Sequence, residues 1–280
     1  MNRTDISSIG RAVDLTYATN RAIAVITLLV AIGGLLWQRL SGAPWLASTT
    51  WGSQAGLTVF LTWALCRELD PDHPTAAFAA AGFALVAVLV WALPQLALIL
   101  WLVILMRVVN RSTGLAAGVL DAVGLVGLAG WLSLQDNWAY GLITAIALFL
   151  DSQLPDPTRR QLPFALLSAI VTALVAILAS ASLWETPSVM VGLGALGLSL
   201  VFLPVILAAR SIESIGDETE ERLRPARVQA AQVLALLTGV GAAFLDGSSA
   251  LVRLGPLWAS VLGASFTWLK STLPFFGSSS

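Results

Sequence analysis

Apolar residues in this chain come in long unbroken runs, and polar residues are confined to the short joints between them. Nine runs stand out, at approximately 22–40, 52–66, 75–93, 94–109, 114–134, 137–151, 163–184, 188–209 and 228–245, with a tenth at 248–269 that carries Arg253 and Pro256. Crossing a hydrocarbon core roughly 30 Å thick takes about 20 such residues in a helix. The runs are too long and too unalternating for barrel strands, and backbone amides in hydrocarbon have no water to bond, so the pattern predicts helices. The expected fold class is all-α, a polytopic transmembrane helical bundle of nine spans, or ten if 248–269 crosses. Residues 1–21 are expected to form a cytoplasmic or interfacial N-terminal segment, 22–269 a single transmembrane domain and 270–280 a tail.

Composition agrees: 57% of the 280 residues are hydrophobic and 11% charged, against about a quarter charged in a soluble domain. Orientation follows from the basic residues, which are retained on the cytoplasmic side. The joints with Arg3, Arg11 and Arg21, then Arg67, then Arg107 and Arg111, then Arg159 and Arg160, then Arg210, Arg222, Arg224 and Arg227 alternate with joints holding only Arg39 and Arg253. A cytoplasmic N-terminus therefore places 13 of the 15 basic residues inside, counting Lys270 behind a tenth span. The inner or plasma membrane is the expected location, with the lipid bilayer as partner and no nucleic acid.

The run from Ala22 follows a polar stretch and ends at Trp37 and Arg39 rather than at a small-residue cleavage site, so it does not read as a cleaved signal. Ile6, Ile9, Val13 and Tyr17 share a helical stripe opposite Arg3 and Arg11, which predicts a short interfacial helix; a solvated tail is the plainer reading. The single cysteine, Cys66, excludes an internal disulfide and reads as packing.

Candidate chemistry lies in three joints on one membrane face. Joint 2–3 offers Glu68, Asp70 and Asp72 ahead of His73 and Pro74, joint 4–5 offers Arg107, Asn110 and Arg111, and joint 6–7 offers Asp151 and Asp156 ahead of Arg159 and Arg160. Mg²⁺ is bound through one or two carboxylates plus substrate phosphates. Arg107 and Arg111, four apart at one helix end, would clamp phosphate oxygens with their planar forks. Together these residues read as a diphosphate site. Against that reading, Asp before Pro also marks a helix start, which fits Asp156-Pro157 and, one residue apart, Asp72 and Pro74. The arginines equally serve as topology anchors and lipid-headgroup contacts. His73, the sole histidine, reads as an exposed loop residue.

Asp121 lies about seven residues into the fifth run, roughly 10 Å from Gly114 along a helix. A charge at that depth usually faces the bundle interior and marks a pathway or site, a buried ion pair with Arg107 or Arg111 being the structural alternative. Gly114, Gly118, Gly124, Gly127 and Gly130, and Gly192, Gly194 and Gly197, point to close helix packing, and Pro204 to an interior kink. Trp45, Trp51, Trp131, Trp138 and Trp184 fall at predicted outer boundaries, where indoles prefer the interface. The joint from Arg210 to Arg227 reads as a solvated short helix or a lid. Asp72-His73-Pro74-Thr75 is echoed by Asp156-Pro157-Thr158, a loose repeat of spans 2–5 in spans 6–9.

Nine or so spans, a cytoplasmic N-terminus and acidic joints after spans two and six resemble the UbiA-type membrane prenyltransferases, and Leu105 to Leu115 resembles that family's basic joint after span four. The resemblance implies a transferase in which Mg²⁺ and an isoprenoid diphosphate are held by Glu68, Asp70 and Asp72, by Asp151 and Asp156, and by Arg107 and Arg111, with Asn110 beside them as a substrate-binding candidate; Asp70 and, for its depth, Asp121 are the catalytic candidates. The first acidic motif departs from the family pattern, because Pro71 and Pro74 break it. Two other functions fit the same residues: a transporter or exporter that couples through Asp121, and a non-catalytic membrane scaffold or subunit.

Overall fold

The computed structural model describes residues 7–10, 13–178 and 188–272. Among them are twelve α-helices: α1 (Ala18–Leu40), α2 (Trp45–Leu69), α3 (Pro74–Val90), α4 (Leu96–Asn110), α5 (Val119–Gln135), α6 (Ala139–Gln153), α7 (Leu162–Leu178), α8 (Val189–Leu200), α9 (Leu203–Ala208), α10 (Pro225–Asp246), α11 (Ser248–Arg253) and α12 (Gly255–Thr272). Each predicted run coincides with helix, the eighth divided between α8 and α9 and the tenth between α11 and α12. The helix ends follow local rules: Pro74 and Pro225 open α3 and α10, where a missing amide costs nothing, and Gly247 closes α10 at φ +63°.

Among the described residues, α1, the stretch Arg159–Leu178 and α10 are each long and apolar enough to cross a membrane, and α8 with α9 forms a pair bent by 42° next to Pro204. Helices α3 to α6 span only 15–17 residues each, because the chain leaves helical conformation around 91–95 and 111–118. The predicted interfacial helix is absent from what can be described of it, since 7–10 and 13–17 are bends and turns. Ile6, Arg3, Arg11 and Trp184 lie outside the described residues.

The chain forms two compact units, one of residues 1–11 and 100–251, the other of 12–99 and 252–280. They do not follow the two four-span blocks of the sequence echo. In the second unit α1 lies along α2, and α12 packs on both α2 and α3. Gly52 and Gly56 allow the first contact: a Cβ on Gly52 would sit 2.3 Å from the Ala31 carbonyl oxygen, and one on Gly56 2.7 Å from that of Thr27. Ile23, Val59 and Ala81 form a small core with Ile26, Val30, Phe60, Trp63, Phe78 and Leu85 around it. Cys66 is buried with its thiol 3.8 Å from the Ser260 carbonyl, the packing role its sequence context suggested.

In the first unit α5, α6 and α7 pack on one another, and α10 packs on α6 and α8. The Trp101 indole donates to Thr144 Oγ1 at 2.9 Å and meets Tyr140 edge-on at 5.4 Å. The predicted glycine packing holds at Gly192, where the Phe244 ring occupies the space of a side chain, whereas Gly124, Gly127, Gly194 and Gly197 have nothing within 4 Å of a notional Cβ.

Candidate functional site

The polar joints of the first unit fold into one knot. The sequence places Arg111 on the helix with Arg107, but α4 ends at Asn110 and Arg111 takes the left-handed conformation at φ +52°. The two arginines therefore part company. Arg107 Nη1 donates to the Ile9 carbonyl at 3.4 Å, while Arg111 turns to the 151–158 joint. There Arg111 Nε donates to Asp151 Oδ1 at 2.9 Å, Nη1 to the Asp156 carbonyl at 2.6 Å and Nη2 to Thr158 Oγ1 at 2.6 Å. Left-handed backbone costs a non-glycine residue roughly 1–2 kcal/mol, and these bonds hold Arg111 in it.

A second guanidinium completes the cluster. Arg227, in the first turn of α10, donates to Asp151 Oδ1 through Nη1 at 2.8 Å, to the Val109 carbonyl at 3.0 Å and to the Pro155 carbonyl at 2.8 Å. The Asp151 side chain is 0% exposed and that of Arg227 1%. One carboxylate oxygen thus receives both guanidinia, and the main-chain carbonyls spread the one excess positive charge. Asp151 Oδ2 is buried without a hydrogen-bond partner. Asp156 does not cap a helix as expected. It sits in a bend at φ +60°, and its exposed carboxylate accepts from Arg224 Nε at 2.8 Å, which holds the Asp156 carboxyl below its ordinary range.

In the 210–227 joint, residues 212–224 form no helix. Ile215 pairs with Arg222 in an isolated bridge, and the Asp217 and Glu218 amides donate to the carbonyls of Ser112 and Thr113 at 3.3 and 3.0 Å. Gly114, at φ +86°, must be glycine for a second reason, since a Cβ there would lie 2.0 Å from Thr219 Oγ1.

Asp121 is not deep inside a span, because α5 starts only at Val119. Its carboxylate serves the first turn of that helix, accepting from the Gly118 amide at 2.9 Å, Ser7 Oγ at 2.6 Å and the Ser8 amide at 3.0 Å. Ser8 Oγ accepts from the Gly118 amide at 2.9 Å, bringing to the cap a hydroxyl that glycine lacks. Asp121 therefore anchors the segment 7–10, and neither Arg107 nor Arg111 is its hydrogen-bond partner.

The first acidic joint belongs to the other unit. Glu68 is buried near the end of α2 and Asp72 is half-buried, while Asn110, in the first unit, is buried at the end of α4. Asp70 closes α2, and its Oδ1 lies 2.8 Å from Nδ1 of His73. His73, rather than Asp72, occupies the N-cap of α3. Burial pushes the Asp70 carboxyl above its ordinary value against the pull of His73.

Fitted against Mg²⁺, the second joint fails: Asp151 Oδ1 is taken by two guanidinia, Asp156 faces a third, and a divalent cation there would meet three positive charges. Among the described residues no three His, Cys, Asp or Glu side chains are grouped to share a metal ion. Compared with known proteins, the chain matches no family model, no curated protein and no solved structure. The site thus rests on its own geometry. Sequence reasoning missed Ser7 and Ser8, which carry no motif, and met Thr158 only as part of the Asp156-Pro157-Thr158 echo. It had Arg227 only as a topology residue, although a lone basic residue opening an apolar helix was a signal for a buried partner.

Proposed function

We propose that the chain is an integral inner-membrane protein with a cytoplasmic N-terminus and ten spans, α8–α9 and α11–α12 each forming one, and that it serves as a non-catalytic membrane scaffold or subunit. The observation that carries this reading is the sealed Arg111–Asp151–Arg227 cluster. Arg111 and Asp151, an arginine and a carboxylate that a diphosphate site would use, are paired with each other in the interior. A transferase of the UbiA type would need Arg111 and Asp151 released to substrate, and a transporter would need Asp121 released from Ser7, Ser8 and Gly118.

The test is the thermal stability of the purified full chain titrated with Mg²⁺ and a long-chain isoprenoid diphosphate, beside an Asp70→Asn, Asp156→Asn variant. A ligand that binds only the native state raises the midpoint by mass action. The scaffold reading expects no metal-dependent shift in either protein. A Mg²⁺-dependent rise that the variant lacks overturns it in favour of the transferase.

A further inference from the structure

An open groove of about 390 Å³ runs between α6 and α7, walled by Ala145, Ile146 and Phe149 on one side and Leu162, Ala165, Leu166 and Ala169 on the other. Every lining side chain is apolar. Positions 162, 165, 166 and 169 form a single helical stripe, about 10 Å long at 1.5 Å per residue, and Phe149, Leu162 and Leu166 in it are exposed. The joint end of the groove carries Arg159 and Arg160, both exposed, one turn before Leu162. Neither has an ion-pair partner among the described residues. Arg160 Nη2 donates to the Ala117 carbonyl at 2.9 Å, the oxygen that the buried Gln161 also holds, whereas Arg159, three residues before Leu162, falls on the side of the stripe. Asp151 and Asp156, the acids of the same joint, are already engaged by Arg111, Arg227 and Arg224.

We propose that this groove binds an anionic phospholipid, with one acyl chain between α6 and α7 and the phosphate at Arg159. The inference rests on the membrane location but is independent of the scaffold and transferase readings. An apolar trough is satisfied by any hydrocarbon chain; the unneutralised guanidinium of Arg159 before its first lining residue on α7 selects a negatively charged headgroup. A packed helix of a partner would fill the trough but leave that charge unanswered.

The experiment uses the purified full chain in neutral detergent micelles, with thermal midpoints followed as phosphatidylglycerol or phosphatidylcholine bearing identical oleoyl chains is titrated in. Phosphatidylglycerol is expected to raise the midpoint at lower mole fraction than phosphatidylcholine, and inorganic phosphate alone to do nothing. Arg159→Gln, a surface change, should raise the half-saturating phosphatidylglycerol about fivefold and leave the phosphatidylcholine response as it was. A diazirine-bearing phosphatidylglycerol should label peptides covering 145–149 and 162–169. Equal responses to the two lipids in the unmodified protein overturn the proposal, as does a shift with phosphate alone or photolabelling confined to other helices.

Discussion

Asp151 shows how a buried charge is made tolerable and why it resists change. Its Oδ1 sits 2.8 Å from both Arg111 Nη2 and Arg227 Nη1, and removing a carboxylate from such a pair strands the buried cations. Asp151→Asn is therefore expected to lose about 3–5 kcal/mol of stability, whereas replacing all three residues with apolar ones of similar volume should lie much closer to the parent. Reversible unfolding in mixed micelles would measure both. Asp156→Asn should have little or no effect, since its partner Arg224 is on the surface and water and salt screen the pair. Asp70 provides a pH signature. Burial raises its carboxyl above 3.8, so the folded state binds the proton more tightly than the unfolded chain. Stability should fall as pH rises from 3.8 through the raised value, and Asp70→Asn should abolish that slope in a midpoint-against-pH series. Arg111, Asp151 and Asp156 all stood out in the sequence, and the structure brings all three together. What spacing left hidden was that they bind each other. Arg111's left-handed turn has no sequence signal, as glycine or asparagine normally marks that position.

At the scale of elements, contacts between helices turn on which glycines face a neighbour. Gly56 lies under the Thr27 carbonyl and Ala31, while Gly124 and Gly197 meet nothing within 4 Å. Gly56→Leu is expected to cost about 1–3 kcal/mol by forcing α1 and α2 apart, and Gly124→Leu almost nothing; thermal midpoints of the two variants separate the cases. The sequence drew attention to the denser glycine stretches at 114–130 and 192–197, and only some of those positions pack. Glycine content reports where close approach is permitted, and the partner surface decides where it occurs. The same limit explains Asp121. Hydropathy cannot see that 114–118 is irregular, so a residue in the first turn of α5 looked seven residues deep. Conversely, Pro74 and Pro204 were legible because proline constrains the backbone wherever it stands.

For the whole molecule, the apolar runs were legible because long unbroken apolar stretches without period-2 alternation favour helix, and all of them became helical, the eighth and the tenth as two helices each. How many of those helices cross is the step that composition leaves open, since α3 to α6 are shorter than the usual span and α11 is separated from α12 near Arg253 and Pro256. The charge distribution supplies the argument. If α11–α12 crosses, Arg253 lies outside with Arg39, and Lys270 returns to the face that carries Arg67, Arg107, Arg159 and Arg227. Basic residues near span ends determine which side a joint occupies, so ten spans and a cytoplasmic N-terminus form one linked proposal. Reporter fusions test it: green fluorescent protein after Thr272 should fluoresce and alkaline phosphatase at that point should be inactive, with the reverse after Gly42. Active phosphatase after Thr272 would reduce the count to nine and leave Lys270 outside. Fluorescence after Gly42 would invert the orientation, and the Arg159 guanidinium beside the α6–α7 groove would then face the outer leaflet.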